Sequence, residues 1–104
     1  MRYSVVLRPE ARQDLKEIKN YIQREAGQRI AREFVHALRH CVAELAVFPK
    51  RGRVRQEAES DLRVIGFRRR VSIHFRVEAD RVVILAFRYA GRNWTSEYSE
   101  LDDI

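Results

Sequence analysis

The chain has 104 residues, the length of one compact domain expected to span 1–104, and its 45% hydrophobic content supplies a core and excludes intrinsic disorder. Its longest unbroken apolar run, Val82 to Phe87, is far too short to cross a bilayer, and a single cysteine, Cys41, excludes an internal disulfide or a cysteine metal cluster. The net charge of +6 is arginine charge: eighteen of the 21 basic residues are Arg, and eleven of these lie between Arg51 and Arg92 against five acids. Arginine's planar fork suits carboxylate and phosphate, so the balance points to an acidic partner, whether RNA, DNA or protein.

The N-terminal run Met1-Arg2-Tyr3-Ser4 has no signal-peptide core, and the expected compartment is the cytoplasm, with no membrane partner. Tyr3, Val5 and Leu7 alternate and predict a short strand. Pro9 presets a first helical turn, with Glu10 at its positive end. Ala11, Leu15, Ile18, Ile22 and Ala26 then form one stripe of an amphipathic helix, ended by Gly27 in an expected left-handed cap. A second stripe, Ile30, Phe34, Ala37, Leu38, Cys41, Leu45 and Phe48, predicts a second helix that runs until Pro49. So short a connection implies an antiparallel helical hairpin.

Beyond Pro49 a basic connector, 50–55, leads into Leu62-Arg63-Val64-Ile65, which can open a strand. Val71, Ile73, Phe75 and Val77 alternate with Ser72, His74 and Arg76, and Val82 to Tyr89 reads as the most buried strand. Glu78-Ala79-Asp80-Arg81 is the turn between them. The predicted order is β-α-α-β-β-β: an α+β fold with a helical hairpin packed on a mainly antiparallel sheet.

No phosphate loop, nucleophile elbow or paired carboxylate motif is present. His36 and His40 stand one turn apart but lack a third ligand at a usable spacing, so no metal and no cofactor are expected. Cys41 falls on the apolar stripe and reads as a small buried hydrophobe. Arg68-Arg69-Arg70 presents consecutive charges at a strand end, either a guard against edge pairing or a binding feature. The end of the last strand, Arg88-Tyr89-Ala90-Gly91-Arg92, with Trp94 and Tyr98 beyond it, gathers arginines and aromatic rings. Such a surface can stabilise charge on a phosphate, with a tyrosine or His74 to move protons. Alternation puts Phe87 and Tyr89 under the helices and Arg88 outward, in a patch expected to include Arg63 and Arg92.

In this order the segments resemble the ParE/RelE superfamily of type II toxins. The similarity is carried by Ala11, Asp14-Leu15, Ile18 and Tyr21-Ile22 in the first helix, by Ala31, Phe34, Leu38, Leu45, Pro49 and Gly52 after it, and by Leu62-Arg63, 71–77 and Val83-Ile84-Leu85 through Arg92 in the sheet. The resemblance implies a growth-inhibiting toxin held inactive by a cognate antitoxin, acidic or amphipathic and ParD-like. That partner is expected to fold on binding, to lie along the helical hairpin and the sheet edge, and to meet some of Arg53, Arg55, Arg68, Arg69 and Arg70. ParE-like members are described as DNA gyrase poisons without enzymatic activity; RelE-like members cut messenger RNA on the ribosome. The first-helix signature, Leu62-Arg63 and Gly91-Arg92 look more ParE-like, and the patch of Arg63, Arg88 and Arg92 is expected to contact the target on either reading. Arg92 and Tyr98, six apart, keep the mRNA interferase alternative open, with Arg63, Arg92 and Tyr98 as its catalytic set.

Overall fold

The computed structural model describes residues 3–49, 53–54 (backbone only) and 62–89. Strand β1 (Ser4–Leu7) is followed by helices α1 (Pro9–Ala26) and α2 (Gln28–Ala43), a 3-10 turn (Glu44–Ala46) and strands β2 (Arg53–Val54), β3 (Leu62–Phe67), β4 (Val71–Val77) and β5 (Arg81–Tyr89). The sheet order is β1-β5-β4-β3-β2. The last three strands form the predicted antiparallel meander, and β1 returns parallel to β5, Val5 opposite Val82 and Leu7 opposite Ile84.

The stripe of α1 is where the spacing puts it: Ala11, Leu15, Ile18 and Ile22 are buried, while Ala26 is exposed. In α2 the buried line is Ala31, Val35, Leu38 and Val42. Of the predicted stripe Leu38 and, past the helix, Leu45 are buried, while Ile30, Phe34, Ala37 and Cys41 each stand one residue before the buried line. Phe34 and Cys41 flank the core, and Ile30 and Phe48 are 42% and 66% exposed. The cause is a wide apolar arc: α2 carries two adjacent lines at helical spacing, and contact with α1 selects between them. The buried lines repeat the same steps, four, three and four, on both helices, so side chains interleave across the hairpin. The helix also stops at Ala43, short of Pro49.

Gly27 joins the helices alone, as C-cap of one and N-cap of the next. Its φ of 98° and ψ of 164° differ from the expected left-handed cap. This is the extended positive-φ region that glycine alone enters without strain. The Gly27 N–H donates to Gln23 C=O at 3.0 Å, and the Ala31 N–H to Gly27 C=O at 3.1 Å.

The core lies between the hairpin and one face of the sheet, with Ile18, Leu38, Leu45, Ile73, Phe75, Ile84 and Phe87 almost wholly buried. Strand β5 reaches this arrangement through a bulge. Between His74 and Phe75 the partner steps from Ala86 to Ile84, and Leu85 has no opposite residue. The extra residue reverses the alternation, so Val82 and Ile84 before it and Phe87 and Tyr89 after it all belong to the core. A second device closes the same region. Strand β1 ends at Leu7, paired with Ile84, and past that point the Phe87 N–H donates to the Asp14 carboxylate of α1 at 3.0 Å.

Candidate functional site

The meander sorts its side chains between a face under the helices and a face turned away from them. Away from the helices stand Val64, Ser72, His74, Ala86 and Arg88. Ser72 is opposite Arg88, and His74 lies between Val64 and Ala86 in register. His74 and Arg88 are thus diagonal neighbours across β4 and β5, and Arg76 continues the row. Arg88 lies on the face opposite Phe87 and Tyr89, as the alternation predicts, but is half-buried there instead of exposed. Ser72 is 1% exposed, and its hydroxyl has no hydrogen-bond partner among the described residues. This face therefore combines a histidine, Arg88, an Arg76 paired with Glu78 at 3.5 Å, and a buried hydroxyl unsatisfied among the described residues.

Arg63 does not join them. It pairs with Phe75 and precedes Ile65 by two residues, which puts it on the helix-facing side of β3. The structure separates Arg63 from Arg88 instead of uniting them in one patch. Residues 55, 92 and 98, the other predicted arginines and the tyrosine, lie outside the described residues. Arg53 is placed by its backbone, in β2 opposite Val64.

The Arg68-Arg69-Arg70 run is the turn of the β3–β4 hairpin. Arg68 and Arg69 have φ of 52° and 57°, and the Arg70 N–H donates to Phe67 C=O at 3.0 Å. Two positive φ values are what a type I′ turn needs, and that turn ordinarily selects Asn-Gly. The arginines occupy it at a cost of about 1–2 kcal/mol each. Part of this is offset at Arg68, whose guanidinium lies 5.0 Å from the Phe67 ring centroid and 6.0 Å from that of Phe34. Those rings belong to an edge-to-face series in which Phe34 meets Phe67 at 5.4 Å and Tyr89 at 6.1 Å, and Tyr89 meets Tyr21 at 5.5 Å. Arg69 and Arg70 are left exposed at the tip.

His36 and His40 are exposed on α2, and no group of three metal-ligating side chains occurs among the described residues. Cys41 is partly buried against the core. Asp14, read from sequence only as part of the helix signature, proves to be the residue that ties α1 to β5. No local pattern signals this, because its partner is 73 residues away.

A helical hairpin on one face of a mixed sheet, with arginines at the hairpin turn and on the face away from the helices, defines a small basic α+β domain. The same fold occurs in a solved structure described as the chromosomal ParDE TA system from P. aeruginosa, with a TM-score of 0.73 and 22% identity, covering 84% of this chain and 95% of that one. The family model for the ParE toxin of type II toxin-antitoxin systems, parDE, matches residues 5–94. The chain belongs to the ParE toxin family. No curated protein matches it.

Proposed function

We propose that this ParE-family toxin arrests growth by binding DNA gyrase in the cytoplasm, without catalysing a reaction, and that a cognate acidic antitoxin silences it. The family match over residues 5–94 carries the reading. It is supported by the net charge of +6, which favours an acidic partner and speeds its encounter. Among the described residues no helix is long and apolar enough to cross a membrane. Arg88, half-buried on the face away from the helices, and Arg92, which follows it in sequence, are assigned to the target. Arg69 and Arg70, at the hairpin tip, are assigned to antitoxin carboxylates, together with Arg53 and Arg55 from the preceding basic connector. Arg68 is assigned to holding the turn that presents them. Purified toxin is expected to inhibit gyrase supercoiling or to trap cleaved gyrase–DNA complexes, and the antitoxin is expected to relieve both effects. Gyrase activity unchanged at saturating toxin would refute the target.

One observation favours a second reading, ribosome-dependent cleavage of messenger RNA: His74 and Arg88 share a face, a proton carrier beside a cation that can stabilise a phosphorane. On that reading primer extension on ribosome-bound message shows codon-phased cuts, and Tyr98→Phe or His74→Gln lowers cleavage about 100-fold or more. Gyrase and ribosome assays run side by side separate the two.

A further inference from the structure

The sheet has a second buried surface that none of the described elements covers. Both helices and Leu45 of the 3-10 turn send their buried side chains into the core on one side of the sheet. A fold of two layers leaves the other side of its sheet to solvent. Here the centre of that side is closed. Val64 on β3, Ser72 on β4, and Val83 and Ala86 on β5 are at most 8% exposed, and all four lie outside the core cluster. They form one surface, since Val64 is opposite His74, His74 opposite Ala86, and Arg76 opposite Val83. His74 and Arg88 stand half-buried among them. The cover stops at β5, because Val6, the neighbour of Val83 on β1, is 37% exposed.

We infer that residues 90–104, which follow β5 directly, dock on this surface, with apolar side chains over Val64, Val83 and Ala86 and carboxylates beside Arg88 and His74. Composition selects this occupant. The segment carries Trp94, Tyr98, Leu101 and Ile104 together with Glu97, Glu100, Asp102 and Asp103, against a single Arg92. The stretch 55–61 is also acidic, but it has only Ala58 to cover apolar atoms and it joins β2 to β3 at the far edge of the sheet. The path is short. Strand β5 delivers the chain beside Arg88, and Gly91 permits the reversal. From Arg88 back to Val83 is five residues of strand, about 17 Å, which fifteen residues span with room to spare. Carboxylates beside a half-buried guanidinium are screened less than an exposed pair. The docking does not depend on the gyrase reading but bears on it. Arg88 is assigned to the target, so a target must first displace the segment, and the toxin carries its own competitor for that surface.

Trp94 is the one tryptophan of the chain, so the intrinsic fluorescence of the full chain reports on this segment alone. Its quenching by acrylamide is expected to be severalfold weaker than that of N-acetyltryptophanamide. A second reporter sits on the sheet: Ser72→Cys in a Cys41→Ser background is a near-isosteric change at a buried position, and its thiol should react slowly with a maleimide. Glu97→Gln, Glu100→Gln, Asp102→Asn and Asp103→Asn together are expected to raise both the quenching and the labelling rate severalfold, with an unchanged circular dichroism spectrum. A wild-type Trp94 quenched as freely as the free indole would overturn the inference, and so would neutralised carboxylates that leave both reporters unmoved. An exposed Trp94 beside a thiol at position 72 that stays protected would also overturn it, by giving the cover to another part of the chain. Neither measurement involves gyrase, so failure here leaves the target reading untouched.

Discussion

Single residues in this protein carry contacts that no neighbouring residue can replace. The Asp14 carboxylate satisfies the Phe87 N–H on a strand that β1 has already stopped covering. Asp14→Ala should therefore cost about 1–3 kcal/mol, the penalty of an unsatisfied donor, measured by denaturant unfolding; a loss below a few tenths would show that water replaces the carboxylate. At the hairpin tip the economy is reversed. Arg69 holds a positive φ and makes no ion pair or ring contact among the described residues that repays it. Arg69→Gly should stabilise the fold by about 1 kcal/mol, raising the melting temperature by about 4–8 °C, while slowing association with an acidic antitoxin. A lower melting temperature would mean that Arg69 is held by something beyond the turn geometry. Glu78 supplies a pH dependence. Its hydrogen bond from Arg81 Nε at 2.9 Å, and then the charges of Arg81 and Arg76, hold its carboxyl below the usual range against the opposing effect of burial. A lowered folded-state value adds stability that is complete above the unfolded value and disappears as pH falls through the folded one. Melting curves of wild type and Glu78→Gln should differ at neutral pH and converge in acid. Curves that stay parallel down to the acid limit would assign the pair no role.

Elements were legible in the sequence wherever a single periodicity governed them. Tyr3, Val5 and Leu7 mark β1, the line Ala11, Leu15, Ile18 and Ile22 marks α1, and alternation from Val71 to Val77 marks β4, each as observed. Helix α2 was legible as a helix but not in its rotation, because Ile30-Phe34-Ala37-Cys41 and Ala31-Val35-Leu38-Val42 are equally apolar and only the packing partner distinguishes them. In β5 the unbroken apolar run Val82 to Phe87 concealed the bulge at Leu85, since a continuous run carries no parity to break. The side on which Arg63 emerges depends on its register with Phe75, a long-range fact, and this is why it parted from Arg88. Gly27 is the sharpest test at this scale. No heavy atom lies within 4 Å of the position a Cβ would take, so Gly27→Ala has no steric cost with neighbours. Its penalty is the backbone's alone, about 1–3 kcal/mol for a non-glycine residue in this conformation. A neutral Gly27→Ala, measured by thermal unfolding, would mean that the two helices can be joined through another cap.

For the whole molecule, the distribution of charge separates silencing from toxicity. A groove floored by Leu15, Leu38 and Phe87 opens beside β1 and α2, and the hairpin tip with Arg69 and Arg70 joins β3 to β4. Arg88 stands on the face turned away from the helices. A protein that binds the folded toxin and not the unfolded chain stabilises it by mass action, by about 2.7 kcal/mol at a free concentration one hundred times its dissociation constant. For a domain of this size that is a rise of about 10–20 °C in melting temperature. The rise should be reduced in Arg39→Glu, an exposed position on the helical hairpin along which the antitoxin is expected to lie. It should persist in the double variant Arg88→Ala with Arg92→Ala, whose own melting temperature is measured alongside because Arg88 is half-buried. Toxicity should show the opposite pattern, abolished in the Arg88/Arg92 pair and retained in Arg39→Glu. Growth assays set beside melting curves of toxin and complex check the division. If one variant loses both the melting shift and the toxicity while remaining folded, antitoxin and target share a surface, and silencing is simple occlusion.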